Sequence, residues 1–270
     1  MDMLRVFIGF DERQPLSYTV LQHSLLWRAS KPVTISPLVL RTLPITRRGL
    51  TPFTFSRFLV PWLCDYKGWA LFLDLDMLVL GDISELFSYQ DDSKAVVVCK
   101  EQQRFEWASA ILFNCGHPAN KVLTPDYIED PNRCVKPHGI DWVESEDLVG
   151  AFPAEWNHCV GYEKSRPDAK IAHYTMGIPA FPEVRGCEFT DEWMKDYKTA
   201  TATQPWLKLM GNSVHAQKLP DGTIVPKLHP KAREEQRKAA EARAAAAKKQ
   251  QEAQKQGAQK QGAQKQGAGA

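Results

Sequence analysis

The sequence predicts an α/β fold built on one largely parallel central sheet, followed by a separate low-complexity tail. Three observations carry this. Short apolar runs alternate with helix-like segments from residue 5 to residue 173, and polar residues with chemistry fall just after several of those runs. Beyond Pro230 the composition shifts to Ala, Lys, Gln, Glu and Arg.

Residues 5–9 (Arg-Val-Phe-Ile-Gly) form an apolar run ending in glycine, the pattern of a buried strand. Pro15 then opens a stretch with apolar residues at Leu16, Val20, Leu21 and Leu25, the spacing of a helix face. Residues 33–39 read as a second strand, and residues 53–66 as a helical segment bent at Pro61. Residues 70–73 (Ala-Leu-Phe-Leu) form a buried strand running into Asp74-Leu75-Asp76. Strands follow at 95–99 and 110–113, short helices after Pro118 and around 144–149, and a late strand at 170–173. In such sheets ligands bind beyond the carboxyl ends of the strands, where Asp11, Asp74, Asp76, Asn114 and His173 are all expected to fall.

The net charge of +2 conceals an asymmetry. Residues 227–270 hold 11 Lys and Arg against 4 Asp and Glu, leaving 23 basic against 28 acidic groups in residues 1–226. A mildly acidic globular part does not suit nucleic acid, which selects a basic folded face. The expected division is therefore a globular domain over 1–226 and a basic tail over 227–270. The tail repeats Gln-Lys-Gln-Gly-Ala from Gln254, Gln259 and Gln264 and lacks an apolar stripe, so a frayed helix or disorder is expected. Docking of the tail to a partner or a polyanion is the alternative to a merely solvated segment. No stretch approaches 18 uninterrupted apolar residues and the N-terminus lacks a signal-peptide layout, so the expectation is a cytoplasmic protein without a transmembrane segment. The six cysteines show no C-x-x-C pair, which predicts reduced thiols.

Asp74 and Asp76 carry the strongest chemical signal. Two carboxylates at i and i+2, where a buried strand surfaces, can face one cation while Leu75 points back into the protein. A bare D-x-D also occurs as a solvated turn, but carboxylates beside a buried strand need a partner. Hard oxygen ligands suit Mg²⁺ or Mn²⁺, which neutralise charge developing on a departing diphosphate.

The stretch Thr54-Phe-Ser-Arg57-Phe-Leu-Val-Pro61, followed by Trp69-Ala-Leu-Phe-Leu-Asp74-Leu-Asp76-Met-Leu-Val-Leu-Gly81-Asp82-Ile83, resembles the signatures of glycosyltransferase family 8, the glycogenin and galactosyltransferase relatives. Other segments are similar in the same order. Val6-Phe7-Ile8-Gly9-Phe10-Asp11 resembles the strand that receives uracil and ribose, and Phe113-Asn114-Cys115-Gly116 the segment that contacts the donor sugar. Glu146-Asp147 with Trp156-Asn157 resembles the D-Q-D…W-N region, and Ala172-His173-Tyr174-Thr175 the motif whose histidine is the third metal ligand.

The resemblance implies a GT-A fold and a metal-dependent glycosyltransferase, a hexosyltransferase that retains anomeric configuration. It implies a UDP-sugar donor and a hydroxyl acceptor on a glycan, a lipid-linked sugar or a protein. The implied metal ligands are Asp74, Asp76 and His173. The implied donor contacts are Phe7, Ile8, Gly9, Asp11, Arg57, Asp74, Leu75, Asp76, Asn114 and Gly177, and the implied catalytic groups are Glu146, Asp147 and Asn114. The sequence departs from the pattern at Ser145 and Glu146, and it lacks the lysine that holds the diphosphate, for which Lys170 or loop amides around Gly177 are the substitutes. Trp107, Trp142 and Trp156 are either sugar-stacking surfaces or core, the commoner fate. Two rival readings remain: a GT-A-fold scaffold or carbohydrate-binding protein without turnover, and a sugar nucleotidyltransferase. The second normally needs a glycine-rich phosphate loop, and Phe10-Asp11-Glu12-Arg13-Gln14-Pro15 has none.

Overall fold

The computed structural model describes the backbone of residues 3–266 and the side chains of residues 3–250. The described residues fall into two compact units, divided between Ala202 and Thr203.

The first unit holds nine strands: β1 (Leu4–Gly9), β2 (Val33–Leu38), β3 (Trp69–Leu73), β4 (Met77–Val79), β5 (Val96–Val98), β6 (Ala110–Asn114), β7 (Val149–Ala151), β8 (His158–Cys159) and β9 (Ile171–His173). Six of them form the central sheet in the order β2-β1-β3-β6-β5-β7. The pairs β1–β2, β1–β3 and β5–β7 are parallel, whereas β6 runs antiparallel to both β3 and β5. Two antiparallel steps restore direction, so every strand of this sheet except β6 points the same way. A second, small sheet has the order β4-β9-β8.

Each element forms for a local reason. The apolar runs of β1 and β3 are almost fully buried and line up with Ile8 opposite Leu73, so both chains leave the sheet side by side. Helix α1 (Pro15–Arg28) starts with a proline whose missing N–H costs nothing in the first turn, and it buries Val20, Leu21 and Leu25. Each such side chain contributes about 1.5–3 kcal/mol of apolar burial. The segment expected as one bent helix over 53–66 is instead three short turns, Phe53–Ser56, Arg57–Leu59 and Val60–Leu63. It stops before residue 66 because Asp65 and Tyr66 both take positive φ, 52° and 51°, which helical geometry excludes.

The main core packs Ile8, Phe58, Phe72, Leu112 and Trp156 around the central sheet. A smaller one gathers Val20, Leu78, Tyr174, Ile178 and Trp193. Trp107, Trp142 and Trp156 are all buried, the core alternative for each.

The second unit comprises a short helix (Trp206–Met210), a hairpin of β10 (Ala216–Lys218) and β11 (Ile224–Pro226), and one helix over Pro230–Gln266. The division between units precedes the compositional break at 226/227. Alanine, lysine and glutamine all favour helix, which carries the backbone through the Gln-Lys-Gln-Gly-Ala repeats to Gln266 despite their glycines. The disorder expected after residue 256 is instead helix as far as Gln266, and residues 267–270 lie outside the described residues. No described helix is long and apolar enough to cross a membrane, and the six cysteines are free thiols.

Candidate metal centre

The chain leaves β3 at Leu73, turns through Leu75 and Asp76, and enters β4 at Met77. Leu75 is buried, which anchors the turn and sends the carboxylates on either side of it the other way. β9 pairs antiparallel with β4, with His173 opposite Met77, so the end of one strand delivers a histidine to the start of the other. One ligand atom each from Asp74, Asp76 and His173 lie within 4.8 Å of one another. His173 Nε2 is 3.5 Å from Asp76 Oδ1.

The three groups differ in environment. Asp74 is nearly enclosed, and its backbone N–H donates to the Ser109 carbonyl at 2.9 Å. Arg57 Nη1 lies 3.0 Å from Asp74 Oδ1, but that oxygen accepts no hydrogen bond. The guanidinium donates elsewhere, from Nη1 to the Ala108 carbonyl at 2.7 Å. Burial pushes the Asp74 carboxyl up to about 7, with Asp76 and Glu106 adding to the rise and Arg57 and His173 opposing it. For His173, burial favours the neutral ring but is outweighed by Asp76, Cys159 and Asp74, which hold it well above the ordinary imidazole range. Paired carboxylates with a buried oxygen lacking a hydrogen bond are what a hard divalent cation satisfies, so these residues fit such an ion.

Glu106 was not picked out by the sequence. It sits in the turn Arg104–Ser109 just before β6, and its Oε2 is 4.0 Å from His173 Nδ1. Burial raises its pKa and Asp76 adds to the rise, while His173 and Arg57 lower it. Only strand direction could have revealed it: the start of β6 faces Leu73, so what precedes β6 reaches the site.

Strand direction places three expected residues away from this group. Asn114 ends β6 opposite Trp69, at the start of β3, and therefore lies at the far end of the sheet from Asp74. Its amide donates to the Lys94 carbonyl at 3.1 Å, a structural contact. Glu146 and Asp147 precede β7, which is parallel to β5, so they too lie at that far end; Lys94 Nζ donates to the Asp147 carbonyl at 2.8 Å. None of Asn114, Glu146 and Asp147 approaches the metal-ligand group. Lys170 is likewise engaged away from it, bonded to Glu85 and lying 5.0 Å over the Trp156 ring. Gly177 takes φ 116° and closes a turn onto the Tyr174 carbonyl, where an added Cβ would come within 2.9 Å of the Phe181 ring. That packing explains the glycine, and no contact brings it to Asp74 or Asp76.

Phe7 and Ile8 turn their side chains into the core. Gly9 lies against Phe53, whose ring would stand 2.5 Å from an added Cβ. Asp11 lines a cleft of about 380 Å³ together with Phe10, Arg13, Arg41 and Arg48. Its carboxylate is gripped by the Arg13 guanidinium and backbone N–H, which hold its pKa below the usual range against the effect of burial.

No protein-family model matches the chain. Among solved structures it is similar to the apo form of the bifunctional glycosyltransferase WbbM, at 16% identity and a TM-score of 0.54 over 77% of this chain. It is also similar to the apo form of the glycosyltransferase GlyE of Streptococcus pneumoniae TIGR4, at 16% identity and a TM-score of 0.53 over 77% of this chain. It spans 51% of the first and 62% of the second. These likenesses show that the chain has the GT-A glycosyltransferase fold. In sequence it is 35% identical over 224 residues to Protein CDI of Arabidopsis thaliana, covering 71% of this chain and 85% of that protein. The chain therefore belongs to the family of Protein CDI.

Proposed function

We propose that the protein is a glycosyltransferase that takes a sugar from a UDP-sugar and passes it to a hydroxyl acceptor, with Mn²⁺ or Mg²⁺ held by Asp74, Asp76 and His173. The observation that carries this reading is the convergence of those three ligand atoms within 4.8 Å at the carboxyl end of β3. When bound, the ion supplies positive charge to the diphosphate leaving group. Arg57 keeps a fixed cation beside Asp74, and the arginine-lined cleft at Asp11 offers the nucleotide an anion-compatible wall. The order of the family 8-like motifs supports UDP as the nucleotide, a hexose as the transferred sugar and retention as the outcome. Glu106 is the nearby carboxylate suited to orienting sugar hydroxyls, in place of the displaced Glu146 and Asp147.

The displacement of Asn114, Glu146 and Asp147 favours one alternative, a carbohydrate-binding or scaffold protein on the same fold. Calorimetric titration of UDP with Mn²⁺, with EDTA, and into Asp76→Ala with Mn²⁺ tests the donor site. Binding that needs both the metal and Asp76 is expected, and metal-independent or absent binding overturns the reading. Release of UDP from a panel of UDP-sugars then separates the two readings, because a binding protein leaves the donor intact.

A further inference from the structure

His173 presents two ring nitrogens to two different groups of ligands. Nε2 faces Asp76, whereas Nδ1 faces Asn157 Oδ1 at 3.1 Å, Cys159 Sγ at 3.8 Å and Glu106 Oε2 at 4.0 Å. A neutral imidazole can lend its lone pair to one side only, so the proton on the ring decides which group can hold a cation. With Nδ1 free, Glu106, Cys159 and His173 would themselves form a three-ligand set.

The surrounding hydrogen bonds settle the choice. Ser109 Oγ donates to the Glu106 carbonyl at 2.5 Å, so its proton is committed and the oxygen can only accept from Asn157. The Asn157 group 2.9 Å from Ser109 Oγ must then be the amide NH₂, which turns the amide oxygen toward His173. An oxygen at that position requires Nδ1 to carry hydrogen. Asn157 is also fully buried, and its main chain is held at both ends. Its N–H donates to the Ala154 carbonyl at 3.1 Å and its carbonyl accepts from Gln102 Nε2 at 2.9 Å.

We infer that Asn157 is a positioning residue that fixes the proton of His173 on Nδ1, aims the Nε2 lone pair at the Asp74 and Asp76 carboxylates, and closes the Glu106–Cys159 side to metal. This rests on the proposed reading of Asp74, Asp76 and His173 as cation ligands. Outer partners of this kind typically change metal affinity by about 10–100-fold when removed.

The test uses the full chain and Mn²⁺ alone, without nucleotide. Paramagnetic resonance measures the Mn²⁺ affinity of the wild type, Asn157→Leu, Asn157→Asp and Ser109→Ala, and circular dichroism confirms that each folds. Asn157→Leu is expected to weaken Mn²⁺ about 10-fold or more, while Asn157→Asp, which still accepts from Nδ1, keeps most of the affinity. Nitrogen-15 spectra of histidine-labelled protein with Mg²⁺ are expected to show His173 protonated on Nδ1 in the wild type and a mixture of tautomers in folded Ser109→Ala. Unchanged affinity in folded Asn157→Leu overturns the positioning role alone, whereas a proton on Nε2 in the wild-type Mg²⁺ complex overturns it together with His173 as a ligand. Failure of the wild type to bind Mn²⁺ overturns the metal-site reading and the inference with it.

Discussion

Arg57 Nη1 stands 3.0 Å from Asp74 Oδ1 with both side chains almost enclosed, yet the contact lacks the alignment of a hydrogen bond. The arginine balances the charge of the aspartate while leaving that oxygen's lone pairs open. A cation can therefore bind without first displacing a donor from Oδ1.

Removing the arginine tests that balance. Arg57→Met removes the charge that opposes the rise of the Asp74 carboxyl, which then takes up a proton at pH 8, so the linked loss is held to about 1–2 kcal/mol. Urea unfolding of metal-free protein at pH 8 should show a loss in that range, and the loss should shrink at pH 5, where Asp74 is protonated.

Asp74 also predicts an unusual slope of stability with pH. Its folded pKa, about 7, lies above its unfolded value, so the folded state binds the extra proton. Its contribution is complete below about pH 4 and is lost as pH rises through about 7, at most about 4 kcal/mol. Subtracting the profile of Asp74→Asn from that of the wild type, both in EDTA, isolates this slope. Mn²⁺ binds the ionised form, so stabilisation by Mn²⁺ should grow over the same interval.

His138 gives the opposite slope. Its ring packs edge-on against Phe58 at 5.4 Å, and burial, helped by the charge of Arg57, pushes its pKa down to about 4. The unfolded chain takes the proton first, so stability is complete above about pH 6.5 and falls as pH drops toward 4. The expected loss is about 2–3 kcal/mol. Measured by urea unfolding at pH 7 and pH 4.5, it should be absent in His138→Phe.

Asp196 ties the helix Thr190–Ala200 to α1. Its buried carboxylate faces His23 Nδ1 at 3.0 Å and Arg28 Nη2 at 2.8 Å. Asp196→Ala should lower unfolding free energy by about 2–3 kcal/mol, less than for a fully enclosed pair because His23 and Arg28 are partly exposed. Thermal denaturation with a His23→Ala, Asp196→Ala double-mutant cycle checks the coupling.

The far end of the sheet should be silent in nucleotide binding. Glu146→Gln, Asp147→Asn and Lys170→Met remove groups that the fold holds away from Asp74 and Asp76, so calorimetry should find UDP affinity with Mn²⁺ unchanged in all three. Loss of affinity in any one of them would restore the role that its motif implied.

The contrast between these residues and the proposed metal ligands shows what a linear sequence carries. The strands ending at Gly9 and Leu73 were legible because uninterrupted apolar runs followed by a turn have one physical solution, a buried strand surfacing at its end. The placement of Asp74 and Asp76 at that strand end was legible for the same reason, and that of His173 beside them through its motif. Nothing in residues 110–114 records whether that strand runs with or against its neighbours, because direction is decided by sheet pairing and not by side-chain pattern. Asn114 was therefore assigned to the wrong end, and Glu106, which precedes the same strand, was overlooked. Glu146 and Asp147 failed differently, since the chain enters β7 directly after Leu148 and leaves them before the strand.

The reversal of β6 has a practical consequence for redesign. In a strand that runs with the sheet, loops that follow the strand shape the site; at β6 the dependence is inverted. Lengthening the connection after Asn114 remodels a remote edge, whereas changing a residue between Arg104 and Ser109 alters the wall beside Asp74. On the proposed reading, a library confined to residues 104–107 varies that wall and tests donor and acceptor preference while Ser109 keeps its bonds to Asp74 and Asn157.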